Sequence, residues 1–167
     1  MEGLTHLNEQ GRARMVDVSG KEVTRRNAVA RARIRMKPDT LKRIRQSDID
    51  KGDVLSVAQV AGIMAAKKTA ELIPMCHPVP LKGADIRFWE EGEDILVVEA
   101  EAKTDHVTGV EMEALTAANI AALTVYDMVK SLDKEIVVEE TCLWSKTGGK
   151  SGSFHREEGS SCGGSEF

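Results

Sequence analysis

A chain of 167 residues and 18.2 kDa fits one domain, long enough to bury about 70% of the surface that its unfolded form exposes. Its 23 Lys and Arg against 27 Asp and Glu give a net charge of -4, so the chain as a whole is not built to hold nucleic acid by charge, and any anion site must be local. Cys76, Cys142 and Cys162 are odd in number and lack paired spacing, which argues against a disulfide framework or a zinc site; with no signal-type or membrane-length apolar run, the expectation is a cytoplasmic protein without a membrane partner.

Residues 1–22 are polar and mixed and read as a loosely ordered arm, although Met15, Val16 and Val18 around Asp17 are apolar enough to dock on something. Ala28, Ala30, Ala32, Ile34 and Met36 alternate with Val29, Arg31, Arg33 and Arg35, the period of a strand with one wet face. Pro38-Asp39-Thr40 opens a short helix to about Gln46, and Asp53 caps a longer one to about Leu72, which Pro74, Pro78 and Pro80 forbid from continuing. Ala84, Ile86 and Phe88 alternate before the turn at 90–94, and Leu96, Val98, Ala100 and Ala102 alternate after it, which predicts a β-hairpin. A long helix follows, then a last strand over 136–143. The order β-α-α-β-β-α-β is a split βαβ pattern, so the fold class is α+β, a ferredoxin-like antiparallel sheet with helices on one face.

The long helix, within 108–130, carries an unusual distribution of charge. Met112, Leu115, Ile120, Leu123 and Met128 predict one buried stripe, and Ala114, Ala117, Ala118, Ala121 and Ala122 let another backbone approach closely. Glu111 and Glu113 flank Met112 at the N-terminal end, where the helix dipole favours negative charge. Asp127 and Lys130 are neighbours on one face, as in many surface ion pairs worth under about 1 kcal/mol.

Three further clusters can carry chemistry. Lys51, in Asp50-Lys51-Gly52-Asp53, sits at the mouth of a helix start, where its charge opposes the dipole; it is either an anion ligand or an ordinary loop lysine. In Pro74-Met75-Cys76-His77-Pro78 the prolines fix an extended segment and hold His77 for hydrogen bonding, while the adjacent Cys76 and His77 make a poor metal pair. The run 146–152 superficially resembles a phosphate-binding P-loop but has Trp144 where that motif needs glycine, leaving a generic anion-binding loop. His106 and His155 stand alone and read as surface histidines.

These segments together resemble one family. MVDVS at 15–19, KGD at 51–53, PMCHP at 74–78, TGVEMEALTAA at 108–118, YDM at 126–128 and GGKSG at 148–152 are similar, in order, to the MoaC family, the cyclic pyranopterin monophosphate synthases of molybdenum-cofactor biosynthesis. The chain departs at Val107, where the family often has a basic residue, and in its Ser/Gly/Glu-rich end. The resemblance implies a lyase that converts 3′,8-cyclo-7,8-dihydro-GTP to cyclic pyranopterin monophosphate and releases pyrophosphate. It implies Asp127 as the catalytic acid/base, with Lys51 and Lys130 as its cationic partners. It implies phosphate binding by Lys21, Arg26, Lys67 and Lys146, and substrate contacts from Met75, Cys76, His77, Met112 and Glu113, the last accepting hydrogen bonds from a guanine-derived ring. It further implies a homohexamer, a trimer of dimers with sites at the dimer interface. On this reading 1–154 is a single catalytic domain and 155–167 a disordered tail. No cofactor is required; Mg²⁺ with the triphosphate is left open, because no carboxylate cluster demands a metal.

Two other classes compete with this reading. An RNA-binding module on this fold would need exposed aromatics on its central strands, and aromatics make up 4% of the chain. A non-catalytic nucleotide- or pterin-binding regulator on the same scaffold would look alike in sequence, and only turnover separates the two.

Overall fold

The alternation of alanine with arginine becomes the central strand of the sheet, β1 (Thr24–Arg35), in a computed structural model that describes residues 8–157. Helix α1 (Pro38–Arg45), helix α2 (Val54–Lys67) and a short turn of helix α3 (Thr69–Leu72) follow. The hairpin β2 (Gly83–Glu91) and β3 (Ile95–His106), helix α4 (Glu111–Val129), β4 (Val137–Thr147) and β5 (Phe154–His155) complete the chain. The five strands lie in the order β2-β3-β1-β4-β5, antiparallel throughout. The α+β arrangement expected from the split βαβ pattern is the one observed.

Alternation decides which face is covered. Ala28, Ala30, Ala32 and Ile34 of β1 line up with Ala102, Ala100, Val98 and Leu96 of β3, and all are buried on the face that α4 covers. The alanines keep this layer shallow, so α4 lies low across β1, β3 and β4. Against α4, α2 brings Gly62 so near that a Cβ there would stand 3.0 Å from the Ala117 carbonyl oxygen and 3.2 Å from the Ala121 Cβ.

This close packing reverses most of the predicted stripe of α4, of which Met128 alone is buried. The buried face is Ala114, Ala117, Ala118, Ala121, Ala122, Val125, Met128 and Val129, whereas Met112 and Leu123 are exposed at 38% and 53%, with Leu115 and Ile120 half-buried. Helices in near contact admit only small side chains between them, so the larger aliphatics are displaced outward.

The opposite face of the sheet is not simply wet. Arg31 is sandwiched between Trp144 and Trp89, its guanidinium carbon 3.6 and 5.0 Å from the ring centroids, and it pairs with Glu99 at 2.8 Å. Arg33 is buried beside Glu91, Glu139 and Glu140. Arginine suits this face because its guanidinium stacks on indole while still meeting carboxylates.

Two boundaries differ from expectation. The helix capped by Asp53, which accepts from the Ser56 N–H at 3.0 Å, ends at Lys67 rather than Leu72. There the Thr69 hydroxyl donates to the Ala65 and Ala66 carbonyls, diverting acceptors from the helix ladder. The tail expected to be disordered from 155 begins with residues paired to β4: His155 lies opposite Ser145, and the Arg156 N–H donates to the Trp144 carbonyl at 2.8 Å. Backbone pairing on a sheet edge needs no apolar side chain. The remainder of that expectation, 158–167, and residues 1–7 of the expected N-terminal arm lie outside the described residues. Finally, Cys76 is a free thiol and Cys142 is disulfide-bonded, so an odd cysteine count did not preclude a bridge.

Candidate active site

Three segments far apart in sequence meet where α4 begins. The arm supplies Val16, Val18 and Lys21, the connection from α3 to β2 supplies Met75, Cys76, His77 and Val79, and the start of α4 supplies Thr108, Gly109, Glu111, Met112 and Glu113. They enclose a cavity of about 330 Å³. Six of the residues expected to contact substrate, Lys21, Met75, Cys76, His77, Met112 and Glu113, line it together.

Local chemistry explains the placement. Pro74 and Met75 form a turn closed by the Cys76 N–H on the Ile73 carbonyl at 3.0 Å, so the segment is extended only from Cys76 onward. His77 Nε2 lies 2.8 Å from the Val16 carbonyl oxygen, which ties the arm to this wall. Glu111 folds its carboxylate back over Gly109, where a Cβ would come within 2.0 Å of Oε2.

Glu113 is the polar floor of the cavity, 4% exposed although it is a carboxylic acid. Burial, opposed by its own backbone N–H and assisted by the charge of Glu111, raises its pKa above the usual glutamate value. The Cys76 thiol is raised as well, first by burial and then by Glu113, so it is a poor nucleophile at neutral pH. Glu113 also lines an adjoining cavity of about 390 Å³ with Lys67, Thr69, Pro78 and Val79. Lys67 therefore faces the second cavity rather than the first.

The other two cations do not line the first cavity. Lys146, on β4, pairs with Glu111 at 3.0 Å and stands one contact from the cavity. Arg26 donates to the His106 and Val107 carbonyls at 3.3 and 3.2 Å, beneath Gly149. At φ +83° a side chain at position 149 would be strained, and its Cβ, 1.8 Å from Arg26 Nη1, would push the guanidinium aside. Arg26 thus braces the backbone at 106–107 and the 148–149 turn.

Asp127, Lys51 and Lys130 do come together, but at the other end of α4. Asp127 meets Lys130 at 2.6 Å and Lys51 at 3.5 Å, and all three are well exposed. A hydrogen bond from Lys130, then the charges of Lys130 and Lys51, hold the Asp127 carboxyl below its usual range, and Asp127 in turn raises Lys130. Lys51 also donates to the Asp127 backbone carbonyl at 2.7 Å. The expectation that its charge opposes a helix dipole is corrected here: it serves the negative C-terminal end of α4, not the positive start of α2.

Fourteen residues at 1.5 Å each separate Glu113 from Asp127 along one helix, so the buried pocket and the charged triad of one chain stand ~21 Å apart. Glu111 is the functional candidate that the sequence presents only as a dipole-stabilised helix start; its one further signal is its place in the TGVEME run. The expectation that Met112 is buried between Glu111 and Glu113 is reversed, since Glu113 is the buried one. Among the described residues no group of three or more His, Cys, Asp or Glu side chains is arranged to hold a metal ion, and no helix is long and apolar enough to cross a membrane.

The model of the MoaC family matches residues 15–149. The chain is 66% identical over 155 residues to a cyclic pyranopterin monophosphate synthase of Brevibacillus brevis, covering 93% of this chain and 97% of that protein. It is 58% identical over 160 residues to one of Bacillus velezensis, covering 94% of each, and 59% identical over 154 residues to one of Listeria monocytogenes, covering 92% and 96%.

Proposed function

This chain belongs to the MoaC family, and we propose that it is an enzyme of molybdenum-cofactor biosynthesis, a lyase that converts 3′,8-cyclo-7,8-dihydro-GTP to cyclic pyranopterin monophosphate and pyrophosphate. The observation that carries the reading is convergence: the arm, the 74–78 segment and the start of α4, matched in order as motifs, meet around one cavity with an acidic floor, Lys21 in its lining and Lys146 one contact away.

The chemistry needs such a division. Closing the cyclic phosphate forms one P–O bond at the α-phosphorus and breaks the bond to the β-phosphate. The attacking hydroxyl gives up a proton while pyrophosphate leaves with added negative charge. Glu113, with His77 and the backbone around Thr108, suits a hydrogen-bonding heterocycle, whose N–H groups the carboxyl can accept from. Lys21, Lys67 and Lys146 suit phosphate oxygens, Lys146 exchanging Glu111 for the ligand. Asp127, held ionised, is placed to move the proton, and Lys51 and Lys130 stabilise the charge that develops. No resident cofactor enters this account; any Mg²⁺ arrives on the triphosphate as part of the substrate.

The ~21 Å between Glu113 and Asp127 supports a site shared by two chains, because one substrate does not span both groups of a single copy. We take the assembly to be a homohexamer, a trimer of dimers with sites at the dimer interface. Val57, Val60 and Met64, an exposed apolar row on α2, supply surface for a second copy to cover. The enzyme is placed in the cytoplasm, with 1–154 as its single catalytic unit and the chain beyond 156 dispensable.

The test is incubation with the cyclised dihydro-GTP, scoring pyrophosphate and the cyclic phosphate together. One pyrophosphate per product supports the reading. Tight ligand binding without pyrophosphate release would make the protein a nucleotide- or pterin-binding regulator instead.

A further inference from the structure

The arm 15–21 is a wall of the cavity, and its attachment has a chemical consequence for His77. Val16 and Val18 are half-buried against the cavity while Asp17 between them is exposed, an alternation that turns both valines inward. Beyond them the chain is stapled to itself: the Asp17 carboxylate accepts from the Ser19 N–H at 2.9 Å and from its hydroxyl at 2.5 Å, and the Lys21 N–H donates to the Val18 carbonyl at 3.0 Å. Residues 17–21 therefore form one compact turn that carries Lys21 to the cavity.

A carbonyl oxygen only accepts, so the 2.8 Å contact from His77 Nε2 to the Val16 carbonyl requires the proton on Nε2. While the arm is seated, that nitrogen cannot take a proton from substrate. We propose that His77 is a positioning residue: it holds the arm across the cavity, and the arm in turn delivers Lys21 to the anionic end of the ligand. The proposal rests on the reading above that this cavity takes a phosphorylated substrate, and it assigns His77 a task apart from the proton transfer placed on Asp127.

Two readouts separate a holding role from a chemical one. In the full-length protein without ligand, trypsin cleavage at Arg12, Arg14 and Lys21 reports whether the arm is seated and needs no turnover. His77→Ala should speed that cleavage by about tenfold, the loss of one net hydrogen bond. His77→Gln, which keeps a side-chain N–H, should restore much of the protection. In turnover, His77→Ala should raise KM by about tenfold and lower kcat by no more than about threefold. A second variant, Val16→Ala with Val18→Ala, removes the apolar seat and leaves His77 intact; it should reproduce both effects.

If His77→Ala instead slows the chemical step by about 100-fold or more while the arm stays protected, the proposal is overturned and His77 belongs on the reacting atoms. Unchanged cleavage in both variants would overturn it too. Should the wild-type protein release no pyrophosphate at all, the functional reading fails, and the cleavage experiment still decides the role of His77.

Discussion

Lys51 Nζ donates to the backbone carbonyl of Asp127 at 2.7 Å and stands 3.5 Å from its carboxylate, joining a loop before α2 to the end of α4 across 76 residues of sequence. The lysine thus holds a position at the helix C-terminus and contributes a charge beside the carboxylate. Lys51→Ala should abolish most turnover, because both the orientation and the charge of Asp127 change. Its melting temperature should fall by no more than about 2 °C, as for other exposed substitutions. Near-normal pyrophosphate release from this variant would reduce Lys51 to a surface lysine.

The separation of Glu113 from Asp127 on one helix makes a sharper test of assembly. Asp127→Asn and Glu113→Gln should each be nearly inactive alone. Mixed under conditions that exchange subunits, half the dimers are hybrid and each has one intact site of two, so about a quarter of wild-type activity should return. No recovery, with exchange verified by mass, would mean that each site is built within one chain.

Glu113 also predicts a dependence of stability on pH. Its carboxyl is raised in the folded protein by burial, so folding keeps it protonated where the unfolded chain, with a pKa of about 4.3, ionises. Stability is then full below about pH 4 and declines as pH rises through the raised folded value. In Glu113→Gln this decline should vanish, and at about pH 8 the variant should melt at or above the wild-type temperature while binding substrate more weakly. Thermal melts from about pH 4 to about pH 8 measure it, and parallel curves for the two proteins would contradict the assignment.

Asp133 is the structural counterexample. It is fully buried, yet it accepts from the Lys37 N–H at 2.7 Å, the Glu135 N–H at 2.9 Å and the Thr40 hydroxyl at 3.3 Å, which caps α1 in place of a local side chain. Burial raises its pKa, but these hydrogen bonds and the Lys37 charge outweigh it and the net value is lowered. Its contribution is therefore present at neutral pH and lost as pH falls through a value below the usual aspartate range. Asp133→Ala should cost about 2 kcal/mol or more by leaving buried donors unmet, with turnover retained; denaturant unfolding gives the figure.

Where a residue's environment is set by near neighbours, the sequence was readable. The Ala/Arg alternation of β1 and the turn at 90–94 marked the strands, and Asp53 marked a helix start, because pleat, turn and cap are local in origin. The stripe of α4 was not readable, since only the approach of Gly62 and its neighbours on α2 decides that alanines rather than Met112 and Leu123 face inward. The site divides along the same line. Motifs pointed to Glu113 and Asp127 separately as candidates, but spacing in sequence did not reveal that one lies buried in a pocket and the other exposed at the far end of the same helix. Nor could it reveal that Lys146 is held by Glu111, or that Val16 is held by His77, contacts 35 and 61 residues apart.

The central claim, that this protein moves a proton through Asp127 to form a cyclic phosphate, is tested most directly by Asp127→Asn. The substitution keeps shape and most hydrogen bonding while removing the titratable carboxyl that Lys130 and Lys51 hold ionised. Pyrophosphate release from the cyclised dihydro-GTP should fall by about 100-fold or more, the usual scale for a general acid/base, with the melting temperature little changed or raised. An Asp127→Asn protein that releases pyrophosphate at the wild-type rate would contradict the account.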